Sequence, residues 1–186
     1  MIVGFGHRAQ VGKDTAGAWL VERGWKRLAF ADLVREVLYK MDPVVDPVST
    51  EYYFTLKAMV DTMGWEMAKN NTEVRGLLQK LGHGLREILD PDVWCRPVIQ
   101  RAEALDEDGV NVVITDVRYL NEVVGIWGAG GRVYRVDRAV QSLRHAGEEQ
   151  LDEFQDWDGV IDNNGSIEDL YGQVQDLVMD YTLDVD

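Results

Sequence analysis

The chain has 186 residues, and 46% of them are hydrophobic, which suits one domain with a sizeable core and argues against intrinsic disorder. No apolar run approaches the roughly 20 residues needed to cross a membrane, and we expect no signal peptide because Met1 leads directly into an apolar strand. The net charge is −14, and all 19 Lys and Arg residues lie at or before Arg144. The acidic end of the chain therefore argues against a nucleic-acid polymer as partner, whereas the basic residues before it can still bind small phosphates.

The single cysteine, Cys95, excludes an internal disulfide and fits a reducing compartment. We therefore expect a cytoplasmic protein in which Cys95 is a small buried residue. The sequence leaves a monomer and a homodimer both open.

Short apolar runs alternate with longer helical patterns along the chain, which is typical of an α/β fold. The runs predicted as strands are 2–5, 26–30, 110–115, 132–136 and 159–162. Together they predict a three-layer fold in which a parallel core sheet of five strands has helices on both faces.

Apolar residues at 3.6-residue spacing predict six helices. They are expected at 16–23, from Asp32 to before Pro43, at 52–69, from Thr72 through Leu89, between Asp92 and Gly109, and from Ser166 onward. Gly64 weakens the third helix, and Asp169 lies where a capping partner of Ser166 is expected. We predict one domain over 1–186, with an inserted acceptor-binding region at about 32–108 and a small lid at about 137–158.

The most informative segment is 4–15, which reads G-F-G-H-R-A-Q-V-G-K-D-T between an apolar strand and a helix. Loop amides, the positive end of the helix dipole and Lys13 would together bind phosphate groups. The P-loop pattern places four residues before its Gly-Lys pair. Here five residues separate Gly6 from Gly12, and His7 stands where the pattern has glycine. Asp14 replaces the usual Ser or Thr, and Thr15 comes one position later.

Two other interpretations of this segment are weaker. Residues 4–9 also fit the dinucleotide fingerprint G-x-G-x-x-G/A, which would indicate an oxidoreductase. That interpretation leaves Gly12, Lys13, Asp14 and Thr15 unexplained. An ordinary strand-to-helix turn explains them no better.

The apolar run that begins at Asn111 ends in Asp116, with Arg118 two residues later. Ligands of open α/β sheets bind beyond the carboxyl ends of the strands, so Asp116 is a candidate ligand of Mg²⁺, directly or through water. Arg118 is suited to bidentate phosphate binding. Asp14 is a second metal candidate, although it can instead cap its helix. Asp116 can also simply end a strand.

In the fourth predicted helix, Arg75, Gln79 and Arg86 flank the apolar stripe, and Gly82-His83-Gly84 lies between them. Two glycines within a helix cost roughly 1 kcal/mol each, which a close approach of a ligand would explain. The arginines can also be ordinary surface charges, and His83 is read as a polar surface residue.

Arg138 and Arg144 bracket a polar segment that continues through His145 and Glu148. An arginine on such a loop can close over transferring phosphates, or the segment can be a plain exposed connection. Asn163 belongs to a loop, 162–166, whose amides can contact a nucleobase or simply form a turn.

Taken together, these motifs resemble the phage-type deoxynucleoside monophosphate kinases. The shared features extend from about residue 1 to residue 170. They are G-K-D-T at 12–15, F-A-D at 30–32 with Arg35, V-R-x-x-L-Q-x-x-G at 74–82 with Arg86, D-x-W at 92–94, T-D-V-R-x-x-N-E at 115–122 and D-N-x-G-S at 162–166. The chain departs from the family in its longer phosphate loop and in reading H-A-G-E, instead of the frequent H-x-S-E, at 145–148.

The resemblance implies a P-loop kinase that uses ATP as co-substrate and Mg²⁺ as cofactor. The residues that it places around ATP are Gln10, Val11, Gly12, Lys13, Asp14, Thr15 and Asn163. Those that it places around the acceptor are Asp32, Arg35, Arg75, Gln79, Arg86, Trp94 and Arg118. The catalytic set would be Lys13, Asp116, Arg118 and Arg138, with Arg138 on the lid.

The function predicted in this way is transfer of the γ-phosphoryl group of ATP to a deoxynucleoside monophosphate, for dNTP supply. The partners would be small nucleotides, and the location the cytoplasm, or the host-cell cytoplasm if a phage encodes the chain. Two alternatives stay open, namely another small-metabolite P-loop kinase, such as a dephospho-CoA or shikimate-like kinase, and a non-catalytic nucleotide-binding module.

Overall fold

The protein is described from a computed structural model that covers residues 1–49, 52–139 and 151–183. Its contacts divide the chain into two compact units. Unit 1 comprises Met1–Ala29 and Cys95–Asp186, and unit 2 comprises Phe30–Trp94. The predicted insertion at 32–108 is therefore longer than unit 2, because a helix that begins at Cys95 belongs to unit 1.

The described residues form strands and helices that succeed one another along the chain. In order, they are β1 (Ile2–Gly6), α1 (Lys13–Val21), β2 (Lys26–Leu28), α2 (Phe30–Met41), β3 (Val44–Ser49), β4 (Tyr52–Thr55), α3 (Leu56–Ala68), α4 (Thr72–Ile88), α5 (Cys95–Glu107), β5 (Val112–Val117), α6 (Leu120–Gly128), β6 (Arg132–Asp137), β7 (Gly159–Asp162) and α7 (Ile167–Leu183).

Unit 1 contains a parallel sheet whose strand order, among the described residues, is β2-β5-β1-β6-β7. Every residue of β1 is buried, as expected for a central parallel strand that is covered on both faces. Val3 and Phe5 pack with α1 and α7 on one face, whereas Gly4 lies against Ile126 of α6 on the other. The prediction of an α/β fold with five parallel strands between helical layers is therefore confirmed.

The helix ends of unit 1 are set by local side chains. The Ser166 hydroxyl accepts a hydrogen bond from the Asp169 amide at 3.1 Å, and the Asp169 carboxylate accepts one from the Ser166 amide at 2.9 Å. This reciprocal pair is the capping arrangement predicted for the last helix. The amide and the hydroxyl of Ser166 both donate to the Asp169 carboxylate, and these two hydrogen bonds hold the pKa of Asp169 below its usual value.

Helix α6 was not among the predicted helices, because Gly125 and Gly128 weaken the helical pattern. A side chain at Gly125 would press on Cys95 and Ile99, both of which lie on α5. The glycine therefore permits close packing of α5 against α6. This packing explains why a glycine lies within a helix, and the sequence near Gly125 does not reveal it.

Unit 2 combines helices α2, α3 and α4 with the hairpin β3–β4. The prediction of a helix over 52–69 was wrong in its first part, because residues Tyr52–Thr55 form β4 and the helix begins only at Leu56. Thr55 caps it by accepting a hydrogen bond from the Ala58 amide. Gly64, with φ of 76°, interrupts α3 as its sequence predicted.

The starts of α2 and α4 also lie close to their predicted positions. Helix α2 begins at Phe30, so Asp32 falls in its first turn instead of capping it. Asn71 caps α4 by accepting hydrogen bonds from the amides of Glu73 and Val74. None of the helices formed by the described residues combines the length and the apolar character that spanning a membrane requires.

The contact between α1 and β5 gives a first prediction. A methyl group at Gly17 would collide with the side chain of buried Thr115, so Gly17→Ala should lower the melting temperature. Overpacking costs about 1–3 kcal/mol, more than the roughly 0.5–1 kcal/mol that replacing a helical glycine gains. Gly76→Ala in α4 is the control, because open space surrounds Gly76 and the variant should be neutral or stabilising. Equal melting temperatures for the two variants would contradict this packing.

Candidate functional site

The carboxyl ends of four parallel strands meet at one edge of the sheet in unit 1. Gly6 at the end of β1 is in register with Val117 of β5 and Arg135 of β6, and Asp137 is in register with Asp162 of β7. The loops that follow these strands carry the phosphate loop, Arg118, Arg138 and Asn163, and Asp116 precedes Val117. The structure thus brings together at one edge the residues that we predicted for donor binding and catalysis within unit 1.

The phosphate loop, residues 7–12, connects β1 to α1. His7, Gln10 and Gly12 have left-handed backbones, with φ of 89°, 63° and 105°. Left-handed residues within such a loop curve the chain so that successive amides form an anion-binding concavity. Gly12 is the N-cap of α1 and has no side chain with which to cap the first-turn amides. The loop therefore has the backbone form that a phosphate site requires.

Lys13 is the first residue of α1, and its side chain is only 6% exposed. Its ammonium group donates a hydrogen bond to the carbonyl oxygen of His7 at 2.7 Å and another to the carbonyl oxygen of Arg8. The side chain thus folds back across the phosphate loop. A positive charge is held within the loop, at the positive end of the helix dipole.

Asn163, in the loop after β7, lies directly against the phosphate loop. Its side-chain amide donates a hydrogen bond to the Val11 carbonyl at 2.7 Å, and a side chain at position 12 would collide with it. Gly12 is therefore required by its backbone conformation and also by this neighbour. The Asn163 backbone amide bonds to the carbonyl of Asp137 at 2.7 Å, which links the loop to the end of β6.

Asp116 is half-buried near the end of β5, and Asp14 and Thr15 are exposed in the first turn of α1. The described residues contain no group of three or more His, Cys, Asp or Glu side chains arranged to hold a metal ion. Mg²⁺ needs only one or two carboxylates when phosphate oxygens and waters complete its coordination. These oxygen donors therefore fit a Mg²⁺ ion that arrives with a nucleotide.

Glu122 builds the turn that presents Arg118, a role that our sequence reasoning missed. Its buried carboxylate accepts hydrogen bonds from the amides of Arg118 at 2.8 Å and Tyr119 at 3.1 Å. The Arg118 side chain is exposed beyond this fixed turn. A glutamate three residues after the N-cap, Tyr119, is the sequence signal that could have revealed it.

A second group that sequence reasoning missed surrounds His7, whose side chain is 7% exposed. Its Nδ1 lies 2.9 Å from Asp137 and its Nε2 lies 3.5 Å from Asp152. Arg8 binds Asp152 through two hydrogen bonds of 3.1 and 3.0 Å, and Arg135 binds Asp137 at 2.8 Å. Burial lowers the pKa of His7, and Arg135 lowers it further, while Asp137 and Asp152 raise it by less.

The predicted lid, 137–158, is only partly described. Arg138 is exposed directly after β6, and the next amide, that of Ala139, bonds to the side chain of Asn164 at 2.7 Å. Residues 140–150, which include Arg144, His145 and Glu148, lie outside the described residues.

Unit 2 contains the residues predicted for acceptor binding, apart from Arg118. Arg75, Gln79 and Arg86 follow α4 at steps of four and seven residues, with Gly82 between the last two, so they share one helix face. The buried indole of Trp94 donates a hydrogen bond to the Gly82 carbonyl at 2.9 Å. The structure therefore brings these residues together. Arg75 and Arg86 also bond to the carbonyls of Lys69 and Pro91.

Asp32 and Arg35 of α2 lie 3.5 Å apart and line a cavity of about 470 Å³ within unit 2. Tyr39 also faces this cavity and donates a 2.6 Å hydrogen bond to Asp61 of α3, which raises the pKa of Tyr39. The full lining is Asp32, Arg35, Glu36, Tyr39, Val60, Asp61 and Trp65. One arginine, three acidic residues and two aromatic rings line the cavity, which suits a small polar ligand with a flat ring.

The chain is similar to known proteins in sequence and in fold. The profile of the family described as deoxynucleotide monophosphate kinase matches residues 29–174. A candidate deoxynucleotide monophosphate kinase of Acanthamoeba polyphaga mimivirus is 25% identical over 181 residues, which cover 88% of each chain. Dephospho-CoA kinase from Campylobacter jejuni has a similar fold, with a TM-score of 0.52 and 13% identity, over 100% of this chain and 98% of that one.

The lowered pKa of His7 gives a second prediction. In the folded chain His7 is harder to protonate than in the unfolded chain, where its pKa is 6.5. Below pH 6.5 the unfolded chain therefore binds a proton more readily, and the free energy of unfolding falls as the pH drops toward the folded pKa. Denaturant unfolding at about pH 7.5 and about pH 5.5 should show a larger loss for the wild type than for His7→Asn, which does not titrate there. Equal losses would contradict this account of His7.

Proposed function

The chain belongs to the deoxynucleotide monophosphate kinase family, and we propose that it transfers the γ-phosphoryl group of ATP to a deoxynucleoside monophosphate. The product would be the diphosphate, made in the cytoplasm for dNTP supply. The single observation that carries this proposal is the buried Lys13 ammonium inside a loop with left-handed residues at a helix N-terminus. This is the form of a site for a polyphosphate.

The donor nucleotide would bind in unit 1. On arrival of the triphosphate, Lys13 would exchange its bonds to the His7 and Arg8 carbonyls for bonds to the β- and γ-phosphates. The amides of residues 10–15 would hold the remaining phosphate oxygens at the start of α1. Asn163, which already bonds to the loop, would lie beside the adenine.

The acceptor would bind to residues of unit 2. Arg75 and Arg86 supply positive charge on one face of α4, and Gln79 supplies an amide between them. Trp94 fixes the Gly82 carbonyl on the same face and shapes the pocket. Asp32 and Arg35 would hold the nucleoside, since they line the cavity of unit 2. Guanidinium groups bind a phosphate monoester through paired hydrogen bonds.

Mg²⁺ would be held by Asp116, with Asp14 as the second candidate, and when bound it would neutralise charge on the transferring phosphates. Asp116 suits this role because it lies near the end of β5, at the same edge as the phosphate loop.

The chemistry needs no strong general base. The nucleophile is an oxygen of the acceptor monophosphate, which is already ionised at neutral pH. Catalysis would consist of positioning the two phosphates in line and neutralising the charge that spreads over the transferring group. Arg118 and Arg138 would supply that neutralisation, and Lys13 would stabilise the donor phosphates throughout.

The third prediction tests the reaction itself. ADP formation should be followed with Mg-ATP and each deoxynucleoside monophosphate, with dephospho-CoA and shikimate as competing acceptors. Lys13→Ala should lower transfer about 10²–10³-fold or more, because charge stabilisation is lost where it is needed most. Lys26→Ala is the control, since Lys26 is an exposed lysine on β2 of the same unit.

Three outcomes would contradict the proposal in different ways. Transfer only to dephospho-CoA or shikimate would change the substrate class. ATP binding without transfer to any acceptor would indicate a binding module. Near-normal turnover in folded Lys13→Ala would show that this loop does not bind the transferring phosphates.

The fourth prediction separates acceptor from donor binding. Arg75→Ala and Arg86→Ala should each weaken binding of the monophosphate by about 1.5–3 kcal/mol, the range for hydrogen bonds to charged groups. Binding of ATP should change little, because both arginines belong to α4 in unit 2. Calorimetry with each nucleotide measures the two effects, and Arg101→Ala, an exposed position on α5, is the control. Equal losses for ATP and acceptor would show that these arginines do not form an acceptor site.

A further inference from the structure

His7 occupies the position where the P-loop pattern has glycine, because four residues, 8–11, separate it from the Gly12-Lys13 pair. Its φ of 89° lies in the left-handed region, which a side chain other than glycine adopts at a cost of roughly 1–2 kcal/mol. The backbone alone would therefore favour glycine at this position. The presence of histidine calls for a reason in its side chain.

The His7 side chain is held from several directions. The Asp137 and Asp152 carboxylates lie 2.9 and 3.5 Å from its two ring nitrogens. The indole of Trp157 meets the imidazole edge to face, with 6.4 Å between ring centroids, and also lies where a side chain on Gly6 would be. These contacts join the phosphate loop to the end of β6 and to the segment that precedes β7.

The carboxylates that face His7 are themselves fixed. Arg8 holds Asp152 through both carboxylate oxygens, and Arg135 holds the oxygen of Asp137 that approaches His7. Within the described residues, Nδ1 of His7 makes no hydrogen bond of good geometry, despite its 2.9 Å distance from Asp137. A buried polar atom without such a bond is costly, so packing stability alone does not explain this imidazole.

The backbone of His7 leads directly to the donor site, because its carbonyl oxygen accepts a hydrogen bond from Lys13 at 2.7 Å. The direction of that carbonyl depends on the φ and ψ angles around His7. A side chain that is buried between two carboxylates and an indole restricts those angles. The imidazole is thereby coupled, through one residue of backbone, to the ammonium group that would bind the triphosphate.

We propose that His7 is a positioning residue for ATP binding, because its side chain, buried among Asp137, Asp152 and Trp157, fixes the phosphate loop and the carbonyl that orients Lys13. The proposal rests on the donor site described under Proposed function. In the P-loop pattern a glycine at this position allows the loop to adopt its shape. Here the His7 side chain would have that role. Loss of the imidazole should therefore weaken binding of ATP and leave binding of the acceptor unchanged.

His7→Gly gives the sharpest test, because it restores the residue of the P-loop pattern and removes the backbone strain at the same time. If His7 only occupies space in the loop, the variant should bind ATP as well as the wild type, or better. If the side chain positions the loop, the Kd for ATP should rise about tenfold or more, measured by calorimetry. The Kd for the deoxynucleoside monophosphate should stay within about twofold of the wild-type value.

Two further variants distinguish positioning from loss of folding. His7→Asn tolerates a left-handed backbone and keeps a polar N–H near the place of Nδ1, so it should recover much of the ATP affinity. Asp152→Asn keeps the volume but removes the charge that faces Nε2, and it should weaken ATP binding in the same direction as His7→Gly. His83→Ala is the control, since His83 is an exposed histidine on α4.

Each outcome has one meaning. Wild-type ATP affinity in His7→Gly would overturn the positioning role and leave the proposed function intact. An equal loss of affinity for ATP and acceptor, or no recovery in a folded His7→Asn, would also overturn it. A wild-type protein that binds no ATP would instead remove the proposed function on which the inference rests.

Discussion

The buried ammonium group of Lys13 is the interaction on which the rest of unit 1 depends. A charge that is only 6% exposed is costly unless it is fully paired, and here the carbonyls of the phosphate loop pair it. Those carbonyls converge because His7, Gln10 and Gly12 adopt left-handed backbones between β1 and α1. A triphosphate would offer the same ammonium stronger, charged partners. The ammonium group thus has partners within the loop and would exchange them when a triphosphate binds.

The sheet register explains why this charge has functional neighbours. Parallel strands end at one edge, so Asp116, Asp137 and Asn163 come near the phosphate loop although they lie far away in the sequence. Two uncharged or buried residues then fix the details of the edge. Glu122 holds the turn at Arg118, and the Asn163 side chain lies where a Cβ at position 12 would be. The hydrogen bonds and packing of these two residues therefore determine where their neighbours can lie.

Local patterns predicted the features that local physics determines. Continuous apolar runs gave the five strands of the sheet, and the Ser166–Asp169 pair gave the start of α7. The hairpin β3–β4 was missed because its first strand contains Asp46 and Pro47, which strands disfavour, and because Tyr52–Thr55 also fits a helical spacing. The His7 cluster was missed for a different reason, since its partner Asp152 lies 144 positions from the neighbouring Arg8. No short-range sequence pattern can reveal that contact.

Glycine and histidine illustrate two ways of shaping the same kind of loop. Glycine adopts a left-handed backbone without cost, but it also leaves the unfolded chain and the loop free to adopt many other conformations. Histidine adopts the strained backbone at a cost, but its buried ring lies against the fixed carboxylates of Asp137 and Asp152. A buried ring removes conformations that a glycine at the same position would have to lose on binding. The histidine is therefore best understood as a side chain that restricts the loop before a nucleotide binds.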